Sequence, residues 1–177
     1  LYLDRQTDFF RQPLKVLHVA PEQIFYQRFK AIPQWQYTTV DLHSPLADIK
    51  ADIGQLPFGD DQFDLILCNH VLEHIPHDLK AMQELYRVLK KGGTLIAQVP
   101  LDENREQTYE NDRITAPKER SQHFGQYDHV RVYGRDYYHR LEAVGFRATA
   151  FDMVSGLSPE EIRRFGVQRE NIPIATK

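Results

Sequence analysis

Phe63-Asp-Leu-Ile-Leu-Cys68, the stretch Asp78–Leu89 and Thr94-Leu-Ile-Ala-Gln-Val99 decide the fold. The outer two are apolar runs of strand length. Between them Leu79, Met82, Leu85, Tyr86 and Leu89 recur on one helical face, which places Leu79, Met82, Leu85 and Leu89 in the core. His77 or Asp78 can cap that helix, and Gly92-Gly93 stops it. The same alternation runs upstream. Lys15–Ala20 (KVLHVA) reads as a buried strand, and Pro21 suits the first position of a helix to about Lys30, where its missing N–H is not needed. Tyr37–Leu42 (YTTVDL) is β-branched, carries Asp41 at its end and reads as a second strand. Strand, helix, strand, helix, strand implies an α/β fold with parallel central strands and helices on both faces.

After Pro100 the pattern breaks. Leu101–Gly134 is charged and without sustained periodicity, yet it holds the aromatic and histidine stretch His123–Tyr133 (HFGQYDHVRVY). A segment of this length reads as a lid or binding insertion. Regularity returns with a helix near Arg135–Val144, a stop at Gly145 and a strand at Phe146–Val154. Ser158-Pro-Glu-Glu161 has the spacing of a capping box. Asn171–Lys177 can supply an edge strand, since Pro173 suits an edge better than a sheet interior.

The 177 residues suffice for one domain with a real core, and the whole chain, 1–177, is read as one. With 22 Lys+Arg against 25 Asp+Glu, the formal charge of −3 argues against a nucleic-acid partner. A hydrophobic content of 41% is too rich for a disordered chain. No apolar stretch approaches a membrane span, so no membrane partner is expected. No signal peptide is visible, and Cys68 as the sole cysteine permits no internal disulfide. A cytoplasmic protein is expected.

His70-Val-Leu-Glu73-His74 spells His-x-x-Glu-His, a pattern that can hold zinc when both imidazoles share a helix face. Here it starts directly after a buried strand, and Pro76 follows at once. The required helix is not expected, and no metal is assigned.

Three blocks taken in order carry a resemblance. They are Asp52-Ile-Gly-Gln-Leu-Pro-Phe-Gly-Asp-Asp-Gln-Phe-Asp64, Val71-Leu-Glu-His-Ile75 and Arg87-Val-Leu-Lys-Lys-Gly-Gly-Thr94. Together they resemble the class I S-adenosylmethionine-dependent methyltransferases, in the group that acts largely on small molecules. The likeness covers about Lys15 to Val154, and His129-Val-Arg-Val-Tyr133 resembles that group's C-terminal half. It implies a Rossmann-like, seven-stranded, mostly parallel sheet with an antiparallel strand near one edge. The cofactor implied is S-adenosylmethionine, and the partner a small-molecule acceptor.

The departure is in the first loop. The family normally has acid-x-Gly-x-Gly, whereas this chain has His18-Val-Ala-Pro-Glu22, with no glycine between Phe10 and Gly54. Any residue with φ > 0 here would be strained. One alternative is therefore a non-catalytic Rossmann-like binding domain with a degenerate loop. An NAD-type oxidoreductase is weakened by the absence of Gly-x-Gly-x-x-Gly after the first strand. Chemistry permits retained cofactor binding, because S-adenosylmethionine has no phosphate to cradle. Ala20 is small enough for close approach, Pro21 sets the helix start, and Glu22 can meet the ammonium that an acid in the place of His18 would have served.

The remaining site residues follow from the chemistry and the resemblance together. Asp41, with Leu42 beside it, stands where a carboxylate can accept both ribose hydroxyls, or it is a surface turn residue. Asp52 matches the residue that meets the adenine amino group, with Ile53 on the ring, although an Asp here also caps loops. Asn69 and His70 leave the carboxyl end of the central strand. For the proton of a hydroxyl acceptor the base is sought among His70, His74, His123 and His129, with His129 first and His70 next. His129 can equally be a structural anchor. His123, Tyr127 and Tyr133 are the substrate-binding candidates.

Overall fold

The apolar runs become neighbouring strands of one sheet in the computed structural model, which describes residues 1–177. A short helix α1 (Tyr2–Arg5) and a 3-10 turn (Phe9–Arg11) lead into β1 (Leu14–Val19), α2 (Gln23–Lys30), β2 (Trp35–Asp41) and β3 (Ile49–Lys50). Next come β4 (Phe63–Cys68), a 3-10 turn (Leu72–His74), α3 (Asp78–Val88) and β5 (Leu89–Ile96). Residues 97–136 hold the two-residue strands β6 (Tyr109–Glu110) and β7 (Arg131–Val132), with α4 (Pro117–Phe124) between them. The chain closes with α5 (Tyr137–Ala143), β8 (Arg147–Asp152), α6 (Pro159–Phe165) and β9 (Asn171–Thr176).

The seven-stranded sheet runs β3-β2-β1-β4-β5-β9-β8. All neighbours from β3 to β5 are parallel, and β9 is antiparallel to both β5 and β8. Alternate residues feed two cores. Leu17, Ile66 and Leu95 pack with Met82, Leu85 and Leu141 on one face, while Val16, Leu65 and Leu67 meet Phe29, Trp35 and Ile174 on the other. Burial on both faces is why these strands read as continuous apolar runs. No helix is long and apolar enough to cross a membrane.

Several expectations are corrected. Pro21 does not open α2: it is buried, Glu22 is the N-cap, and the helix starts at Gln23. Leu79 is 42% exposed, because Asp78, Ala81, Met82, Leu85 and Val88 form the inward face of α3. Leu89 is buried, but as the first residue of β5. Gly92 and Gly93 lie inside β5, where a positive φ at Gly92 (76°) accommodates an irregularity against β4.

Asn171–Thr176 is an interior strand and not an edge. Pro173 is tolerated because the β5–β9 pairing ends at Ile96↔Ile174, one residue away, and its carbonyl still accepts from Ala97 N at 3.2 Å. The capping box of Ser158 and Glu161 is formed. Segment 101–134 contains β6, β7 and α4, so it is more ordered than its lack of periodicity suggested.

Candidate active site

The carboxyl ends of β1, β2 and β4 open onto a cleft of about 760 Å³, where ligands of open α/β sheets bind. Ala20, Asp41, Leu42, Asp52, Ile53 and His70 line it together. So do His43, Gly54, His74, His77, Lys80 and Asp128.

Ala20 leaves β1 at φ 48°, held by its N–H to Val40 O at 2.8 Å. This is the left-handed turn that glycine takes without strain, and an alanine here costs roughly 1–2 kcal/mol. The backbone path of a glycine loop is retained, and its strain is accepted.

Behind Ala20, β1 carries His18, which is fully buried. Its Nε2 is 2.6 Å from Glu22 Oε2 and its Nδ1 is 2.7 Å from the Tyr37 hydroxyl. A carboxylate only accepts, so Nε2 carries the hydrogen and the Tyr37 O–H donates to Nδ1. His18 therefore does not reach a ligand; it positions Glu22. Asn69 Nδ2 also donates to Glu22, at 3.3 Å. Burial tends to raise the Glu22 pKa, but the His18 bond, the backbone and Asn69 outweigh it and hold the carboxyl below its ordinary value. The neighbouring Asn69 Oδ1 is buried with no hydrogen-bond partner.

Asp41 Oδ1 accepts from the N–H groups of His43 and Ser44, both at 2.6 Å, which leaves Oδ2 uncommitted. Asp52 Oδ1 accepts from Gly54 N at 2.7 Å in the same way. Each carboxylate thus makes its turn and keeps one oxygen free. Glu84 and Arg87 hold the loop that presents Asp52: Glu84 accepts from Leu56 N at 2.8 Å, and Arg87 donates to the carbonyls of Leu56 and Phe58.

The far wall comes from the turn after β4. His70 is left-handed (φ 52°), which turns the chain out of the sheet, and only a 3-10 turn spans Leu72–His74. The helix that a His-x-x-Glu-His zinc site needs is absent. The His70 side chain is 54% exposed, with Nδ1 3.5 Å from Glu73 Oε1, a contact that raises the imidazole pKa above its usual value.

The expected acceptor residues are placed differently. His129 is 8% exposed, off the cleft wall, with Nδ1 3.1 Å from Phe124 O. Tyr133 is fully buried and donates to Asp78 Oδ2 at 2.8 Å, so it has no free hydroxyl to offer. His123 is bonded to Tyr109 (2.8 Å) and Tyr127 projects outward; neither lines the cleft. The insertion reaches the cleft instead through Asp128, whose carboxylate is 3.4 Å from His74 Nδ1. Asp128 sits in the turn that follows α4, where His129 N meets Gln126 O at 3.4 Å, so no sequence periodicity marked it, whereas Lys80 lies in the first turn of α3 on its exposed face.

The sheet order and the cleft at its carboxyl edge are those of a Rossmann-like α/β fold. Residues 16–97 match the family model described as "Methyltransferase domain". Among curated relatives, an uncharacterized protein of Methanocaldococcus jannaschii is 53% identical over 51 residues, 29% of this chain and 22% of that protein. Demethylmenaquinone methyltransferase of Listeria monocytogenes is 32% identical over 71 residues, 40% of this chain and 30% of that enzyme. The matched stretch thus spans less than a third of either relative. Among solved structures, the Burkholderia thailandensis 1,6-didemethyltoxoflavin-N1-methyltransferase, with bound 1,6-didemethyltoxoflavin and S-adenosylhomocysteine, superposes with a TM-score of 0.65 at 16% identity. That match covers 96% of this chain and 73% of the other.

Proposed function

We propose that the cleft binds S-adenosylmethionine and that the chain, acting as a single methyltransferase domain, methylates a small-molecule acceptor. The observation that carries this reading is the convergence of Ala20, Asp41, Leu42, Asp52, Ile53 and His70, from four separate stretches of sequence, on one cleft. The donor set suits the cofactor. Glu22, with the unpartnered Asn69 Oδ1 beside it, suits an ammonium. The free oxygen of Asp41 suits a ribose diol, that of Asp52 an adenine amino group, and Ile53 and Leu42 offer apolar surface. The first turn of α2 has no side-chain cap, so its N–H groups suit a carboxylate.

When bound, the cofactor supplies an electrophilic methyl carbon on a sulfonium. The protein's part is alignment and exclusion of water. His70 faces the cleft with Nδ1 toward Glu73, which leaves Nε2 to accept the proton of an acceptor hydroxyl. His129 is too deeply buried for that role and stands behind His74. Segment 101–134, entering the cleft at Asp128, closes over the acceptor.

Calorimetry with S-adenosylmethionine, S-adenosylhomocysteine and NAD tests the reading. Micromolar binding of either S-adenosyl ligand is expected. Silence toward all three would leave a non-catalytic binding domain, and binding of NAD alone an oxidoreductase. Asp41→Ala should weaken S-adenosylhomocysteine about tenfold or more, since charge-assisted bonds contribute roughly 1.5–3 kcal/mol each. Its melting temperature should stay within a few degrees of the parent. An unaltered dissociation constant would remove Asp41 from the site.

A further inference from the structure

Glu73 is 1% exposed, and neither carboxylate oxygen has a hydrogen-bond partner. The nearest cationic group is His70 Nδ1 at 3.5 Å, too far for a good bond. A buried carboxylate without partners is costly, so something is expected to neutralise it. Two imidazoles stand beside it. One ring nitrogen each of His74 and His129 and one oxygen of Glu73 lie within 4.8 Å of one another. The two rings meet edge to face, 4.7 Å between centroids.

We propose that Glu73, His74 and His129 form a binding site for a divalent transition-metal cation of the zinc class, a site that does not depend on the methyl-transfer reading. The orientation of His129 supports this. The Phe124 carbonyl can only accept, so Nδ1 carries the hydrogen and Nε2 keeps its lone pair. A metal-bound histidine is held in this way by its other nitrogen. His74 has a comparable outer partner in Asp128 Oδ2, 3.4 Å from its Nδ1.

The two ligand-bearing segments are also fixed to each other by the protein alone. Val130 N donates to Glu73 O at 2.9 Å, and Arg131 donates to Leu72 O at 3.0 Å and Pro76 O at 2.9 Å. Two imidazoles and one carboxylate are a donor set zinc takes with a fourth position open, whereas calcium and magnesium prefer oxygen throughout. Bonds of about 2.0–2.1 Å place tetrahedral donors about 3.3 Å apart, so the three groups must draw in by roughly 1–1.5 Å. Side-chain torsions supply a movement of that size. The site shares two residues with the His-x-x-Glu-His pattern but takes its third from the insertion, which ties that segment to the turn after β4.

The test uses the full chain stripped by a chelator and titrated with Zn²⁺ by calorimetry and with Co²⁺ by visible absorption. One equivalent should bind, Co²⁺ should give the intense bands of a low-coordinate nitrogen–oxygen site, and Zn²⁺ should raise the melting temperature. Glu73→Gln and His74→Ala should each weaken Zn²⁺ by about 100-fold or more, the upper end of what losing even an outer partner costs. His139→Ala, on the exposed side of α5, should bind as the parent does. Both ligand substitutions leave the His129–Phe124 contact in place, and Glu73→Gln removes a buried charge, so either can be read alone should the other not fold. Absence of stoichiometric binding would overturn the site, as would binding of unchanged strength in either folded variant.

Discussion

Strand β4 and the insertion at 101–134 are buried by opposite means. β4 lies between β1 and β5, and Leu65, Ile66 and Cys68 are fully enclosed by aliphatic neighbours on two faces. The insertion brings few such groups. It is fastened by Arg131, which donates to Glu110 and to the carbonyls of Leu72, Ile75 and Pro76. Asp78 completes the fastening by accepting from Tyr133 (2.8 Å) and from Arg140 Nε (3.0 Å) and Nη2 (2.9 Å). Apolar burial is non-directional and tolerates exchange of similar volumes. A buried ionic network holds one geometry only and fails when one partner is lost. The sheet therefore has a forgiving support, and the wall of the cleft a specific one.

Asp78→Ala is the sharpest way to break that contrast. It removes the buried carboxylate that Tyr133 and Arg140 share, leaves Glu110 as the one carboxylate beside Arg131 and Arg140, and should destabilise the protein by about 3–5 kcal/mol. Ile66→Val, at the centre of β4, should cost only about 0.5–1.5 kcal/mol. Denaturant melts giving equal losses would mean that charge does not fasten the insertion. The next effect separates support from contact within the cleft. His18→Asn should lower both stability and S-adenosylhomocysteine affinity, because His18 is enclosed and holds Glu22, whereas Glu22→Gln should lower affinity with little change in melting. A His18→Asn variant of unaltered stability would contradict its enclosed role. The smallest effect is dynamic. Amides in Thr108–Gln126 should exchange faster than those of Thr94–Ile96 without ligand and gain protection when cofactor and acceptor are both present. Uniformly slow exchange would show a fixed wall, not a closing one.

The strands were legible because burial on two faces writes itself as Val, Leu and Ile without interruption, as in Phe63–Cys68. The capping box at Ser158 was legible because it is local. Exposure of Leu79 was not, since the inward place on α3 goes to Asp78, and a buried Asp declares itself only beside Arg140, 62 residues away. Ala20 shows another limit. Composition indicated that a left-handed residue there would be strained, but only the backbone shows that the strain is accepted. Of the residues expected at a cofactor, Ala20, Asp41, Leu42, Asp52, Ile53 and His70 do share one cleft, because they sit at strand ends with a fixed relation to the sheet, whereas His18, Pro21, Glu22 and Asn69 stand outside its lining. The acceptor side was not legible, because which of Asp128 and His129 faces inward depends on packing against the turn at Leu72–His74.

The position of β9 has a consequence for how the chain is made. On a nascent chain β2 to β5 can pair soon after they emerge, each beside a strand already synthesised. β8 cannot, because its sole partner in the sheet is β9, which follows it. Until Asn171–Thr176 arrives, the open side of β5 shows its unpaired N–H and C=O groups, with Leu95 and Ile96 alongside. An apolar strand edge left open is a template for another chain. Inserting β9 is a long-range closure, and such closures are slow. A ribosome paused before Asn171 would thus hold its nascent chain in the form most prone to pair with a neighbour on the same polysome.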